Sequence, residues 1–149
     1  MLAIHKLKKQ KKSVKKIDKN QQRLNTLDLE EEVNRLESEY KKGFAKPLIL
    51  LMLAEKENYS YALAKKIIEK TSGKISIAIP NIYPILKSLK NSGYIQEMKS
   101  KEHSSRVFYK VTELGYALLD ELTESLQQFL QIFNGLIDNY NEIKVERIK

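Results

Sequence analysis

The chain has 149 residues, of which 42% are hydrophobic and 31% are charged, and its net charge is +8 at pH 7. This length fits one domain with extensions, and the absence of cysteine excludes disulfide bonds, thiolate zinc sites and cysteine nucleophiles. The two histidines lack the spacing of a metal or acid/base site, and no apolar run approaches the about 20 residues that span a bilayer, so we expect a cytoplasmic protein that is not an enzyme and has no cofactor.

A basic arm begins the chain. Residues 1–20 contain eight lysines and one aspartate, a net charge of +7, which leaves +1 for the rest of the chain. This composition is typical of a segment that stays solvated or folds only against a polyanion. We assign residues 1–22 to a flexible arm whose lysines favour contact with nucleic-acid phosphates, where they release condensed counterions. A solubilising tail and a membrane-surface segment are the alternatives.

Two helices are predicted next. We assign residues 23–42 to an N-terminal helix with an apolar stripe at helical spacing, formed by Leu29, Val33, Leu36 and Tyr40. We expect this helix to end at Gly43. Residues 47–55 begin with a proline and are almost entirely apolar, which predicts a buried central helix.

A helix over residues 61–71 follows, with Ser60 as its N-cap and with an inward face of Leu63, Ala64, Ile67 and Ile68. Residues 75–79 alternate isoleucine with other residues and predict a short extended connector. Pro80 opens a third helix over residues 81–92, whose core stripe comprises Ile82, Ile85, Leu86 and Leu89. We expect Pro84 to lie in its first turn, where proline is tolerated, and Gly93 to end it as the C′ residue.

A hairpin and a long helix complete the chain. Residues 94–99 and 106–111 predict two strands, joined by a polar, cationic tip. Thr112 is the predicted N-cap of the last helix, assigned to residues 113–149. That helix carries an apolar three-four repeat over more than three heptads, Leu119, Leu122, Leu126, Phe129, Phe133, Leu136, Tyr140 and Ile143. Because such a seam packs lengthwise against another long helix, we expect a homodimer through Leu119, Leu122, Leu126, Phe129, Phe133, Leu136 and Tyr140.

Three helices followed by a hairpin is the order of a winged helix-turn-helix, whose third helix enters the DNA major groove. We therefore predict a mainly α fold with a small β-hairpin: a winged helix-turn-helix over residues 43–112, a long C-terminal dimerisation helix and an N-terminal helix. The polar face of the third helix has no acidic residue and comprises Asn81, Tyr83, Lys87, Ser88, Lys90 and Asn91. An ordinary solvated face usually carries acids, so this composition favours DNA binding.

Specific motifs support this interpretation. Residues 82–95 read IYPILKSLKNSGYI, which resembles the recognition-helix signature of the PadR family, a Leu-Tyr-Pro-x-Leu start and a Gly-Leu-Ile end. Residues 109–115 read YKVTELG, similar to the family junction between wing and last helix, Tyr-x-Leu-Thr-x-x-Gly. The family usually has His-Gly-Tyr where this chain has Tyr59-Ser60-Tyr61, and Pro80 stands where Gly is common. The resemblance covers about residues 43–122 and implies a dimeric repressor of the small subgroup with one C-terminal helix.

Together these observations predict how the protein binds DNA. Two recognition helices face successive major grooves of a two-fold symmetric site, about 34–36 Å apart. Asn81 and Lys87 are candidates for reading bases. Of the other candidates, those on the helices are assigned to phosphates, and those of the wing to the flanking backbone or the minor groove. The complete set of predicted DNA-binding residues is Tyr61, Lys65, Lys66, Asn81, Tyr83, Lys87, Lys90, Ser104, Ser105 and Arg106.

Other functions remain as alternatives. Family members often respond to aromatic compounds near the dimer interface, which makes Phe129, Phe133 and Tyr140 candidates for a small aromatic effector site, although aromatic residues in phase with a heptad seam are usually core residues. A winged helix can also be a protein-interaction module that does not read DNA. The sequence has no Gly-rich phosphate loop or catalytic serine motif, which argues against an enzyme.

Overall fold

The computed structural model describes residues 26–99, 102 and 105–149. Four helices and one antiparallel hairpin form this part of the chain: α1 (Thr26–Glu55), α2 (Ser60–Lys70), α3 (Ile79–Asn91), β1 (Ile95–Lys99), β2 (Val107–Val111) and α4 (Glu113–Ile148). The predicted fold class, mainly α with a small β-hairpin in winged helix order, is confirmed. The basic arm, residues 1–22, lies outside the described residues.

The chain divides into two compact units, Met1–Gly43 and Phe44–Lys149. In the first unit, the described part of α1 presents Val33, Leu36 and Tyr40 to solvent. Arg35 bridges Glu32 and Glu39 on the same helix, and its hydrogen bond lowers the pKa of Glu32. The predicted apolar stripe is therefore largely exposed within its own unit.

The helix boundary predicted at Gly43 is wrong, because α1 runs without interruption through Gly43 and Pro47. A glycine inside a helix costs only about 1 kcal/mol relative to alanine, too little to end a helix that other residues stabilise. Pro47 removes the hydrogen bond that the Gly43 carbonyl would otherwise accept. Beyond Pro47, α1 buries Ile49, Leu50 and Leu53, and this packing favours the continuous helix.

The core of the second unit joins all three helices of the helix-turn-helix to the base of the wing. Its buried side chains are Ile49, Leu50, Met52, Leu53, Leu63, Ala64, Ile67, Ile82, Leu86, Leu89, Ile95, Val111 and Leu119. These include most of the positions predicted from helical spacing. The exceptions are Ile68, which is 43% exposed, Leu51, which is 37% exposed, and Leu48, Ala54 and Ile85, which pack against the core but are only partly buried.

Two local predictions about helix ends are also wrong. The N-cap of α2 is Tyr59, and Ser60 is the first helical residue, where its buried hydroxyl bonds to a neighbouring helix instead of capping its own. Pro84 lies in the second turn of α3, since that helix begins at Ile79. Only one backbone hydrogen bond, to the exposed Pro80 carbonyl, is lost there.

The end of α3 follows the predicted glycine stop. Gly93 has φ 80°, its N–H donates to the Lys90 carbonyl, and the Tyr94 N–H donates to the Leu89 carbonyl at 3.0 Å. These two bonds form a Schellman motif. The chain then enters β1, whose residue Ile95 pairs with Val111 at the base of an antiparallel ladder that runs to Lys99 and Val107.

Thr112 caps α4 as predicted, since its hydroxyl accepts a hydrogen bond from the Gly115 N–H at 3.1 Å and donates one to the Gly93 carbonyl at 2.6 Å. Gly115 packs directly on the wing: a Cβ there would overlap the Tyr94 carbonyl oxygen and lie 2.7 Å from a Val111 methyl group. The last helix is thus fixed to both the end of α3 and the hairpin.

Gly115→Ala is expected to lower the free energy of unfolding by on the order of 1–3 kcal/mol, because the added methyl group requires backbone movement in a packed site. Gly135→Ala is the matched control, since nothing lies within 4 Å of a Cβ built at that helical position. It should raise stability by about 0.5–1 kcal/mol through its higher helix propensity. Urea denaturation measures both; equal effects would contradict the close contact at Gly115.

Candidate nucleic-acid interface

The exposed surface of α3 divides into a centre and two flanks. With Ile82, Leu86 and Leu89 buried, the 100° step of a helix places Lys87 and Asn91 on the opposite, outermost side. Tyr83 and Lys90 flank this centre toward the wing, and Asn81 and Ser88 flank it toward α1. All of these side chains except Ser88 are exposed. The helix therefore presents amide, hydroxyl and ammonium groups without any carboxylate of its own.

Lys90 is held against the wing. Its ammonium lies 2.7 Å from a carboxylate oxygen of Glu97 in β1, and this hydrogen bond raises the pKa of Lys90. A phosphate that binds Lys90 must compete with Glu97 for it. Lys87, in contrast, lies at the outermost position and is the more available of the two lysines.

On the other flank, Lys46 of α1 reaches α3. Its ammonium donates a hydrogen bond to the Ser88 hydroxyl at 2.9 Å, which places one further exposed cation beside the recognition helix. Lys46 was not among the predicted DNA-binding residues. Nothing in the local sequence pairs it with a residue 42 positions away, so this contact requires the tertiary structure.

Between the wing and the starts of α2 and α3 lies an open groove of about 500 Å³, lined by Tyr59, Ser60, Tyr61, Tyr83, Ser105, Arg106, Val107 and Tyr109. Four of the predicted residues are brought together here: Tyr61, Tyr83, Ser105 and Arg106. The remaining four were not predicted to belong to the site. A cluster of four tyrosines drawn from separate elements has no signature in residue spacing.

Aromatic and polar contacts build the walls of this groove. The Arg106 guanidinium lies 4.6 Å from the centre of the Tyr59 ring, and the Tyr59 and Phe108 rings are 5.3 Å apart. On the other wall, the Ser60 hydroxyl donates to the Tyr83 hydroxyl at 3.2 Å. Burial raises the pKa of Tyr109, and its neutral hydroxyl can donate a hydrogen bond. The groove thus carries one guanidinium and several hydroxyl groups.

The two lysines of α2 that were predicted to bind DNA differ. Lys65 is exposed. Lys66 is mostly buried, pairs with Glu55 at 2.7 Å and donates to the Met52 carbonyl at 3.4 Å, so it satisfies the end of α1. The hydrogen bond from Lys66 lowers the pKa of Glu55, and Lys70 is a second donor to the same carboxylate. Lys66 is therefore engaged in the fold, whereas Lys65 is available. Ser104 lies outside the described residues.

The predicted seam of α4 changes character along its length. Leu119 is buried in the core of its own chain, and Leu122 and Leu126 are half-buried. From Phe129 onward the seam is exposed, and its exposed members are Phe129, Phe133, Leu136, Tyr140 and Ile143. The rings of Phe129 and Phe133 lie 5.1 Å apart. The C-terminal part of α4 is thus a continuous apolar ribbon facing solvent.

In the part of the chain that the structure describes, no helix combines the length and apolar character needed to cross a membrane.

Residues 49–121 match the model of the transcriptional regulator PadR-like family. Solved structures of transcriptional regulators are also similar to this chain. A transcriptional regulator from Clostridium thermocellum is 25% identical with a TM-score of 0.59, covering 64% of this chain and 95% of that chain. A PadR-like transcriptional regulator from Bacillus cereus is 26% identical with a TM-score of 0.58, covering 64% and 93%.

Two further similarities extend this comparison. A PadR family transcriptional regulator from Eggerthella lenta has a TM-score of 0.66, covering 74% of this chain and 96% of that chain; at 22% identity it supports the fold alone. An uncharacterised protein of Lysinibacillus sphaericus is 24% identical over 95 residues, which are 62% of this chain and 87% of that protein. Residues 49–121, which the family model matches, contain the core, the recognition helix and the wing.

Proposed function

Because residues 49–121 of this chain form a domain of the PadR-like family of transcriptional regulators, we propose that the protein is a sequence-specific DNA-binding repressor that binds a two-fold symmetric site as a homodimer. The observation that carries this proposal is the acid-free exposed surface of α3 beside the groove of the wing. α3 and the groove together can contact the bases and the phosphate backbone of DNA at the same time. The repressor role rests on the family resemblance.

The contacts divide between two regions. Asn81 is the third residue of α3. It therefore lies at the N-terminal end of the helix, the part of a recognition helix that usually contacts base edges. Lys87 occupies the outermost position on the exposed side of α3. We assign these two to base reading. The groove residues Tyr83, Ser105 and Arg106 are assigned to phosphates, since hydroxyl and guanidinium groups bind phosphate oxygens without reading sequence.

Assembly follows from α4. The exposed ribbon from Phe129 to Tyr140 is apolar over three turns, and pairing with a second copy of the same ribbon removes it from water. The exposed stripe of α1 offers a second apolar surface to the partner chain. Since Phe129, Phe133 and Tyr140 are in phase with the seam, the dimer covers them as core residues, and we propose no aromatic effector site there.

The test is selection of bound fragments from the source genome, followed by anisotropy titration on a selected duplex and on the same duplex with its sequence shuffled. A specific regulator should prefer the selected duplex by about 10³-fold or more. Equal affinity for both duplexes, or no binding at low salt, would instead support a protein-interaction module.

Asn81→Ala and Arg106→Ala are expected to weaken DNA binding in different patterns. Loss of the Asn81 amide should cost about 1–3 kcal/mol at one base position and leave single-base variants of other positions unaffected. Loss of Arg106 should weaken binding to all duplexes by a similar factor, as a phosphate contact does. Titration against a panel of single-base variants measures both patterns, and a uniform loss for Asn81→Ala would remove its assignment as a base reader.

A further inference from the structure

The dipeptide Tyr59-Ser60 lies between the two walls of the groove. Tyr59 ends the loop before α2 and its ring contacts Arg106 of the wing. Ser60 begins α2, is only 8% exposed, and its hydroxyl donates to Tyr83 of α3. These two adjacent residues therefore each contact a side chain that we assign to phosphate binding, Arg106 of the wing and Tyr83 of α3.

The backbone around this dipeptide is fixed to the wing. The Asn58 N–H donates to the Tyr109 carbonyl at 3.2 Å, and the Tyr109 N–H donates to the Asn58 carbonyl at 2.9 Å. This bridge attaches the loop as a third short edge to the hairpin. Phe108 contacts the Tyr59 ring, so the ring is supported independently of Arg106.

The partners of the dipeptide are much less constrained on their own. Arg106 and Tyr83 are both exposed, with Tyr83 at 53%, and long exposed side chains lose rotamer freedom when they bind a ligand. A ring under the guanidinium and a hydroxyl beside the phenol restrict both groups before DNA arrives. The entropy lost on binding is then smaller.

We propose that Tyr59 and Ser60 are positioning residues for DNA binding: Tyr59 holds the Arg106 guanidinium and Ser60 holds the Tyr83 hydroxyl, so that both face the same stretch of phosphate backbone. This proposal rests on the DNA-binding function proposed above. Tyr59 acts through Arg106, and Ser60 acts through Tyr83. Each pair therefore behaves as a unit, and the effects of its two members are not additive.

Two double-mutant cycles test the proposal on a genome-selected duplex. Tyr59→Leu should weaken binding about three- to tenfold, and Tyr59→Phe should recover most of this loss because a phenyl ring also supports a cation. In the Arg106→Ala background, Tyr59→Leu should have no further effect. Ser60→Ala should weaken binding about threefold, with no further loss in the Tyr83→Phe background.

Salt dependence and stability separate positioning from general damage. Arg106→Ala should flatten the slope of log affinity against log salt by about 0.9 for each phosphate that the protein no longer neutralises, and Tyr59→Leu should shift the slope in the same direction. Tyr116→Leu is the control, since Tyr116 is an exposed tyrosine that does not line the groove. Ser60→Ala removes one oxygen atom, so its cycle tests the proposal even where Tyr59→Leu does not fold.

The outcomes are distinct. Additive losses within both cycles, or wild-type affinity for both Tyr59→Leu and Ser60→Ala, would overturn the positioning role while leaving DNA binding intact. A wild-type protein that binds no duplex would instead overturn the proposed function itself. Losses that disappear in the Arg106→Ala and Tyr83→Phe backgrounds support the positioning role.

Discussion

Replacing Phe133 and Leu136 with glutamate is expected to convert the protein into monomers. Both residues lie in the exposed part of the α4 seam, at 49% and 57% exposure, so neither substitution disturbs the core of its own chain. In a dimer built on this seam, each interface would contain four unpaired carboxylates. Burying them costs several kcal/mol even after relaxation, about enough to shift the dissociation constant by several orders of magnitude.

Analytical ultracentrifugation over a range of concentrations measures this effect. The matched control is Gln127→Glu with Gln131→Glu, which adds the same charge to exposed positions on the opposite face of α4. The control should remain dimeric, and the seam variant should also lose most of its affinity for a symmetric duplex. A seam variant that dimerises as well as the control would move the interface away from α4, with the exposed stripe of α1 as the next candidate.

Deletion of residues 1–19 is expected to change the salt dependence of DNA binding more than any single substitution. These residues carry eight lysines and one aspartate, while the chain after residue 20 has a net charge of +1. Each phosphate neutralised contributes about −0.9 to the slope of log affinity against log salt, so three contacts from each of two arms change it by roughly five. Preference for the selected duplex should persist, because lysines that contact only phosphate carry no base code.

The experiment compares the two proteins on a selected and a shuffled duplex between about 50 and 200 mM salt. A variant with the eight lysines replaced by glutamine separates charge from chain length, and it should behave like the deletion. If the salt-dependence slopes of the two proteins agree within one unit, the arm does not contact DNA in the complex. The arm would then be a solubilising tail or a segment for a different partner, such as a membrane surface.

The helices could be predicted from the sequence wherever apolar residues recur at helical spacing. The stripe of Ile82, Ile85, Leu86 and Leu89 predicted the recognition helix, and all of these residues are buried except Ile85, which is partly buried. The glycine stop at Gly93 and the threonine cap at Thr112 were also correct, because each depends on the conformation or hydrogen bonds of residues close in sequence. The winged helix order follows directly from these elements.

Helix ends that depend on a balance between local preference and packing were predicted less well. Gly43 disfavours a helix by only about 1 kcal/mol, and α1 continues through it because the following residues are stabilised by the core. Pro84 is accommodated in the second turn of α3, where one lost hydrogen bond is small beside the burial of Ile82 and Leu86. Ser60 has the residue type of an N-cap, but its hydroxyl bonds to Tyr83 instead.

The sequence by itself determined the order of the elements, the acid-free surface of α3, the apolar seam of α4 and the position of the excess charge, since each is a repeat or composition readable over a few consecutive turns. Only the tertiary structure decided which of these groups are available. It pairs Lys66 with Glu55 and Lys90 with Glu97, and it assembles Tyr59, Tyr83 and Arg106 around one groove. Such pairings join residues of different helices and strands. The energies that select them come from packing and desolvation in the folded domain, which no local pattern of residues contains.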